Sequence, residues 1–552
     1  MTLSTRSPDT SEDDPADHSA WAPLRQPLFA RIWIASLVSN FGGMIQAVGA
    51  AWLMTSLSRS ADTVALVQAA QSLPMLAFAL VFGAVADIYD RRLVMLSAQT
   101  LMLVFSVALA AMTYMGLTTP FWLLAFTFLI GCGTALHTPA WQASVSEQVQ
   151  RHDLPRAIAL NGLGFNLARS LGPAAGGLVV AMAGAPAAFL VNAATYLGLI
   201  VVLAAWRRPK TPRTLPAERL APAVLAGLQY ARLSPTLSTV LIRAFLFAGA
   251  GSAIWALTPL VARQVLQGGP AVYGLLLGGL GAGAVGAALG SNWLRQRFST
   301  ETIVRGAGAA FAVAMVVVAV SPWLPVTLAA LVVGGMGWML SMSSFNVTVQ
   351  TFSPGWVVGR SVSLFQTAMA GGLAIGSWGW GLAAQGTSVQ AAIGLSAAAA
   401  AATTLLGLRW AVPVLDHPDF APARAPGPLP IALEPTRGGV AVIVEYRVAE
   451  ADAAAFVAAM VEKRRIRRRD GARRWTLLQD LGDPEVWVER FQSPSWVEHL
   501  RHRHRTTVAD LHIEERVRAF HRGETPPLIR RFIERLPGAG PDLEHPVQTT
   551  LP

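Results

Sequence analysis

One cation stands inside a long apolar stretch of this 552-residue chain. Arg169 falls near the middle of a predicted membrane span over residues 156–182. A charge at that depth costs several kcal/mol unless it faces a partner or a water-filled cavity. We therefore expect Arg169 to line a cavity, where it attracts an anionic substrate or pairs as the protein rocks. The alternatives are a structural pair and a side chain that snorkels toward the membrane surface.

Groups that can titrate inside the membrane are few. The centres of the predicted spans contain no unambiguous carboxylate. His137 can titrate near neutral pH, although its position beside Thr138 and Pro139 also fits a hydrogen-bonded structural residue. Coupling of transport to protons or to another ion therefore stays open.

Several other polar or aromatic side chains interrupt the apolar spans. Contact with a substrate and hydrogen bonds between helices explain such residues equally well. Besides Arg169 and His137, the candidate cavity residues are Asn40, Gln46, Trp141, Gln142, Asn346, Gln350 and Gln366.

The polar tail of the chain offers no catalytic site. His499, His502 and His504 do not all share a helix face, and no cysteine lies near them, so a solvated basic helix explains them better than a metal site. No nucleophile is paired with a base. We expect no enzyme activity, no bound metal and no cofactor.

The composition places these residues in a membrane protein. Of all residues 53% are hydrophobic and only 14% are charged, whereas a soluble domain has about a quarter of charged residues. Much of the surface must therefore face lipid. The net charge of +11 comes largely from short loops and the tail, which indicates cytoplasmic loops rather than nucleic-acid binding.

Twelve apolar segments are each long enough to cross a bilayer as a helix. A long basic connection at 207–235 divides them six and six, the layout of two similar halves. The predicted spans are 29–56, 63–86, 93–115, 120–143, 156–182, 185–206, 236–264, 271–293, 302–320, 324–351, 358–383 and 388–412.

Basic residues concentrate in alternate connections between these spans. The even-numbered connections carry most of the loop charge, beginning at Arg91, Arg151, Arg207, Arg295 and Arg360. Because basic loops stay on the cytoplasmic side, we expect a multi-pass protein of the cell (inner) membrane with both termini in the cytoplasm.

The chain is predicted to contain seven regions. The order strand–helix–strand–strand–helix in the soluble region predicts a small ferredoxin-like α+β domain. The regions are a disordered cytoplasmic N-terminus (1–21), a six-helix half (22–206), a cytoplasmic linker (207–235), a second six-helix half (236–412), a Pro/Ala-rich linker (413–436), the soluble domain (437–535) and a disordered tail (536–552).

The segment between the second and third spans carries a family resemblance. Its sequence from Gly83 to Arg92, G-A-V-A-D-I-Y-D-R-R, resembles the major facilitator signature G-x-x-x-D-x-x-G-R-R/K, with Asp90 in place of the second glycine. The resemblance implies a twelve-helix bundle in which Asp87, Arg91 and Arg92 gate the cytoplasmic side, pairing in one conformation and separating in the other.

The fifth span carries a second resemblance. Residues 161–177 look like the G-P-x-x-G-G motif associated with antiporters of the same superfamily. Gly172, Gly176 and Gly177 let another helix approach closely, and Pro173 introduces a bend. The motif favours export, and a general tight helix crossing is the alternative.

Further segments narrow the resemblance to one branch of the superfamily. P-A-W-Q-A-S-V-S-E (139–147) and P-R-A-I-A-L-N (155–161) are similar to enterobactin-type exporters and transmembrane secretion effectors, and the tail resembles the antibiotic-biosynthesis-monooxygenase fold. The resemblance implies a secondary active transporter that exports a siderophore-like or drug-like small molecule across the bilayer by alternating access. The alternatives are an importer on the same fold, and a membrane-anchored enzyme or sensor that acts through the tail.

Overall fold

The computed structural model describes residues 19, 21–206, 220–354, 357–412, 439–505 and 507–534. The predicted N-terminal extension up to residue 18, the linker 413–436 and the tail 536–552 lie outside these residues.

Long apolar helices make up the described chain before residue 413. Several begin at a Pro in the first turn or at a Ser or Thr cap, as helix starts commonly do. They are α1 (Pro27–Leu57), α2 (Ala61–Ile88), α3 (Arg91–Tyr114), α4 (Pro120–Ser144), α5 (Leu154–Ala205), α6 (Leu220–Leu233), α7 (Pro235–Gly251), α8 (Ala253–Leu260), α9 (Pro270–Arg297), α10 (Thr300–Val320), α11 (Leu324–Thr351), α12 (Val358–Gly386) and α13 (Val389–Leu405).

Twelve membrane passes result from these helices. α5 crosses twice, because Gly184 adopts a left-handed backbone with φ 79° that reverses the chain. Conversely, α7 and α8 form one pass together, extended by a π-helical turn over Val261–Val265. Every predicted span overlaps one of these passes.

By length and composition alone, nine helical stretches of the described residues qualify as membrane spans, and one of them is the double-crossing α5. The two remaining passes, α2 and α12, are 28 and 29 residues long. They pack against each other between the two halves of the bundle, so less of their surface has to face lipid.

The bundle consists of a first half, α1–α5, and a second half, α7–α13. The halves meet mainly along two helix pairs, α2 with α12 and α5 with α9. One end of the bundle carries Arg91, Arg156, Arg297 and Arg360 at helix ends, and we call it the basic face. The other end, which includes the turn at Gly116, is the opposite face.

A four-stranded antiparallel sheet forms the domain that follows. Its strand order β2-β3-β1-β4 with helices on one side is ferredoxin-like, as predicted. Its core joins Val442, Val444 and Tyr446 of the central strand to Phe456 and Met460 of the first helix. The elements are β1 (Val440–Arg447), α14 (Ala453–Arg469), β2 (Arg473–Gln479), β3 (Val486–Ser493), α15 (Trp496–Arg505), α16 (Val508–Arg518) and β4 (Leu528–Ile533).

The prediction of a solvated basic helix over residues 495–505 is wrong. His499, His502 and Arg505 are buried, because α15 lies against the edge of the domain core. His502 Nδ1 lies 3.1 Å from Ser493 Oγ, and Arg505 donates to the Asp470 carbonyl at 2.7 Å. Burial, with Arg505 nearby, lowers the pKa of His502 to about 3. The side chain of His504 lies outside the described residues.

Candidate functional site

Asp90 has a structural role at the start of α3. Its carboxylate accepts hydrogen bonds from the backbone N–H of Arg92 at 2.9 Å and of Leu93 at 3.4 Å, which makes it the N-cap of the helix. The residue that departs from the family signature therefore stabilises the helix that carries the arginine pair. Asp87 lies in the last turn of α2, and its side chain lies outside the described residues.

Arg91 and Arg92 bind within the first half of the bundle. Arg91 donates to the Ala143 carbonyl in the last turn of α4 at 2.8 Å and to Glu147 Oε1, just beyond that helix, at 2.7 Å. Arg92 donates to the carbonyls of Leu203 and Ala204 at 2.9 and 2.7 Å. It thus caps the last turn of α5, where a cation is favourable. The pair fastens α3, α4 and α5 together at the basic face.

The glycines of the fifth span face two different helices. A β-carbon on Gly172 would lie 2.6 Å from Met44 Cβ, and one on Gly176 would lie 2.9 Å from Ile45 Cα, both in α1. A β-carbon on Gly177 would lie 2.6 Å from the Pro270 carbonyl oxygen and 2.9 Å from Gly274 Cα, both in α9. The segment therefore packs within the first half and also across to the second half.

The α5–α9 contact ends part-way through the membrane. Gly177 meets Gly274 and, seven residues along each helix, Ser170 meets Gly281. The next position in this repeat on α5 is Leu163, and its side chain is 47% exposed. Because antiparallel helices in contact would bury that position, α5 and α9 separate from this level toward the basic face.

The two halves are closed against each other at the opposite face. Arg263, after α8, donates to the Thr55 carbonyl near the end of α1, and the rings of Trp52 and Tyr273 stack with centroids 6.3 Å apart. The largest apolar cluster joins Met54 of the first half to Leu260 of the second half at this face, although it also extends along the second half toward the basic face. The clusters around Met95 and Phe29, near the basic face, contain first-half residues. The two halves are thus in contact at the opposite face, whereas α5 and α9 separate toward the basic face.

Arg169 stands at the level where α5 and α9 separate. Its backbone carbonyl lies 2.7 Å from the β-carbon position of Gly281, and its side chain is half-buried. Among the described residues, the guanidinium makes no hydrogen bond or ion pair. An unpaired cation at this level, between the two halves, can attract an anionic group of a substrate.

Two other candidates differ in how well their polar atoms are satisfied. Gln46 is buried, and its Oε1 accepts hydrogen bonds from Ser106 at 2.8 Å and from Asn192 at 2.5 Å, joining α1, α3 and α5. His137 stacks on Trp141 with ring centroids 6.1 Å apart, and its Nε2 is buried without a partner among the described residues. The structure therefore gives Gln46 an interhelical hydrogen-bonding role, whereas His137 keeps an unused nitrogen.

The remaining candidates lie on separate helices of both halves. Gln350 donates to Asn346 Oδ1 at 3.1 Å within α11, so this pair is partly satisfied internally. Gln142 and Gln350 are exposed, and the half-buried residues are Asn40 on α1, Trp141 on α4, Asn346 on α11 and Gln366 on α12. The set is distributed around the bundle.

A buried ion pair in the second half was not singled out from the sequence. Arg243 of α7 donates to both carboxylate oxygens of Glu301 at the start of α10, at 2.6 and 3.1 Å, and to the Trp410 carbonyl at 3.0 Å. Arg243 lies inside a predicted span, as Arg169 does, so a charge within an apolar segment could have identified it from the sequence. Here the charge has a partner and ties α7 and α10 to the end of α13.

A second group of charges lies inside the C-terminal domain. The carboxylate of Glu489 lies 3.2 Å from Lys463 Nζ and 3.4 Å from Arg467 Nε, and it accepts a hydrogen bond from Trp475 Nε1 at 3.0 Å. Burial raises the pKa of Glu489, but Lys463 and Arg467 outweigh this effect and hold it at about 2. All these groups are satisfied by one another, which indicates a structural cluster.

Glu489→Gln is expected to destabilise the C-terminal domain by about 3 kcal/mol, because the buried Lys463 loses its counter-charge and Arg467 keeps only its pair with Glu514. The contribution of Glu489 is full above its ordinary pKa near 4.5 and is lost as the pH falls toward 2. Hydrogen–deuterium exchange of β3 in the full chain measures the effect. Glu485→Gln, at an exposed position beside the same strand, is the control, and equal exchange in the two variants would contradict the assignment.

The match to a known family agrees with this architecture. The model of the transmembrane secretion effector family matches residues 18–537. The chain belongs to this family. The prediction of a major-facilitator-type transporter rather than an enzyme is therefore confirmed, and the transporter crosses the membrane many times.

Curated relatives of this transmembrane secretion effector include named transporters. The staphyloferrin A transporter of Staphylococcus aureus is 24% identical over 245 residues, which are 44% of this chain and 61% of that protein. The match thus spans less than two thirds of that relative. The multidrug efflux pump Tap of Mycolicibacterium fortuitum is 27% identical over 353 residues, 62% of this chain and 85% of that protein.

Solved structures support the same fold for the effector. The nucleoside transporter NupG superposes with a TM-score of 0.56 at 13% identity, covering 69% of this chain and 98% of that chain. A bacterial homologue of the lysosomal transporter Spinster, inward-facing and occupied, gives 0.57 at 13% identity, covering 70% of this chain and 97% of that chain. These likenesses establish the twelve-helix fold.

Proposed function

We propose that this transmembrane secretion effector exports a small organic molecule from the cytoplasm by alternating access. The observation that carries the proposal is that contacts between the two halves close the opposite face, whereas α5 and α9 separate toward the basic face. In this conformation a molecule on the basic side can reach Arg169. Rocking of the halves about α2 and α12 would then expose it to the other side.

The orientation follows from the charge of the loops. The basic face corresponds to the predicted even-numbered connections, and basic loops stay cytoplasmic. We therefore place the protein in the cell (inner) membrane with both termini and the C-terminal domain in the cytoplasm. The side at which α5 and α9 separate then faces the compartment from which an exporter takes its substrate.

The similarity to Tap supports a drug-like substrate, and the similarity to the staphyloferrin A transporter supports a siderophore-like substrate.

Asp87, Arg91 and Arg92 are proposed to gate the cytoplasmic side. Arg91 and Arg92 would do so by making the basic-face ends of α3, α4 and α5 move as one unit. The proposed energy source is an ion gradient, and His137 is the titratable candidate inside the bundle.

Accumulation in intact cells tests the direction of transport. Cells that express the chain are incubated with siderophore-like and cationic drug-like compounds, with and without a protonophore. An exporter lowers the accumulation of one compound class, and the protonophore restores it. Raised accumulation would indicate an importer. No change with any compound, despite correct insertion, would favour an enzyme or sensor that acts through the C-terminal domain.

Removal of the Arg169 charge should weaken the transport of anionic substrates most. Arg169→Gln loses a charge-assisted interaction, so we expect the apparent KM for an anionic substrate to rise about tenfold or more. A neutral analogue of similar size should be affected less than about twofold. Initial rates of transport for the two compounds provide the comparison.

Arg169→Lys is the matched control, because it keeps the positive charge on a side chain of similar length. Partial recovery for the anionic substrate is expected, because an ammonium lacks the two-point geometry of the guanidinium. An equal loss for the anionic and the neutral compound in Arg169→Gln would instead assign Arg169 a structural role.

A further inference from the structure

The helix α6, which connects the two halves, lies against the basic-face ends of the second half. Tyr230 is buried, and its hydroxyl donates to the Phe352 carbonyl at 3.0 Å. Phe352 is the C-cap residue that follows α11, so Tyr230 satisfies a carbonyl at the end of that helix. A β-carbon on Gly227 would lie 3.1 Å from Arg360 Cβ at the start of α12. The position of α6 therefore depends on where α11 and α12 end.

The C-terminal domain binds this connecting helix through α14. Arg465 Nε of α14 donates to the Leu233 carbonyl at the end of α6 at 2.7 Å. In return, Gln229 Nε2 of α6 donates to the Arg468 carbonyl near the end of α14, also at 2.7 Å. Each helix thus supplies a side chain that satisfies a terminal carbonyl of the other.

Charge and ring contacts add to this docking. The guanidinium carbon of Arg469 lies 5.7 Å from the ring centroid of Tyr230, within cation–π range. Arg469 is held in turn by Asp470 at 2.9 Å and by Asp510 of α16 at 2.7 Å. Tyr230 therefore contacts α11 through its hydroxyl and the C-terminal domain through its ring. A continuous line of contacts joins the domain to the second half.

These contacts belong to one conformation of the bundle. The helix α6 contacts α2 of the first half as well as α7 and α12 of the second half. Closing the basic face moves the basic-face ends of the two halves relative to each other, so α6 cannot keep all of these contacts. A set of contacts that exists in only one conformation stabilises that conformation by its full free energy. We propose that the C-terminal domain is an intramolecular brace that, through α14 and α6, stabilises the conformation open at the basic face. The inference rests on the alternating-access part of the proposed function and on neither its direction nor its substrate.

Distances between spin labels in the full chain test the brace. One pair, at Gln150 of the first half and Phe298 of the second, reports opening of the basic face, and both positions are exposed. A second pair, at Gln150 and His512 of α16, reports docking of the domain. Labels are attached to introduced cysteines in a Cys132→Ser background, Cys132 being the single native cysteine.

The variant Gln229→Ala/Arg465→Ala removes both reciprocal hydrogen bonds. We expect the second pair to show release of the domain, and the ratio of open to closed basic face to fall about tenfold or more, at about fivefold per hydrogen bond. Arg522→Ala, which breaks an exposed ion pair with Asp452 elsewhere in the domain, should change neither distance. Release of the domain with an unchanged ratio would overturn the proposal, and so would a domain that stays docked in the double variant.

The readout also separates this proposal from the proposed function. The distances between the labels can be measured whichever direction the protein transports its substrate. If wild-type chains show one single distance for the first pair at every pH and substrate concentration, alternating access itself is contradicted. If the distance distribution shifts with substrate but not with the double variant, only the brace is contradicted.

Discussion

Gly177→Val is expected to impair transport severely. A β-carbon at this position would already lie 2.6 Å from the Pro270 carbonyl oxygen and 2.9 Å from Gly274 Cα, and both of these atoms belong to the backbone of α9. The branched side chain must therefore push α5 and α9 apart where the two halves are closed against each other. Overpacking of this kind costs about 1–3 kcal/mol or more. We expect the initial transport rate to fall at least about tenfold at equal membrane abundance.

Gly198→Val is the matched control for this prediction. Gly198 lies in the second pass of α5, and a β-carbon there would meet nothing within 4 Å. Transport by this variant should remain within about twofold of the wild-type rate. Wild-type transport by Gly177→Val would contradict the proposal that the α5–α9 contact closes the opposite face.

Arg243→Ala should destabilise the second half by about 3–5 kcal/mol, because it leaves the carboxylate of Glu301 without its counter-charge in a buried site. The Arg243 side chain is only 2% exposed, so water cannot replace the lost partner. For a unit of this size we expect the unfolding temperature to fall by about 10 °C. Thermal unfolding of the purified protein, followed by tryptophan fluorescence, measures the change.

Two further variants separate charge pairing from general damage. Arg305→Ala removes an exposed arginine about one turn along the same helix as Glu301, and it should leave the unfolding temperature almost unchanged. Arg243→Met/Glu301→Gln removes both charges and should recover much of the loss. An Arg243→Ala protein as stable as Arg305→Ala would contradict the structural role of the pair.

The passes through the membrane could be predicted because their signal is local. Apolar length and loop charge identify each span without knowledge of its neighbours, and even the reversal at Gly184 falls between two predicted spans. The order of strands and helices in the C-terminal domain could be predicted for the same reason, because each element has its own local pattern. The strand β4, LIRRFI, was missed because two central arginines mask its alternation on an exposed edge strand.

The partners of the polar residues could not be predicted, because they are distant in sequence. Gln46 is satisfied by Ser106 and Asn192, which only the packing of α1 with α3 and α5 brings together. Likewise, nothing in the linker 207–235 indicates that its helix α6 binds Arg465, more than 200 residues later. The sequence identifies which side chains are unusual for their position, and the fold decides which of them remain unpaired.

The most direct test of the account is the direction of transport in sealed proteoliposomes. Protease cleavage of the C-terminal domain from outside identifies the vesicles whose basic face is external. In that population, an imposed ion gradient should drive substrate from the outside into the lumen, and dissipation of the gradient should stop it. Movement in the reverse sense, from the opposite face to the basic face, would contradict export.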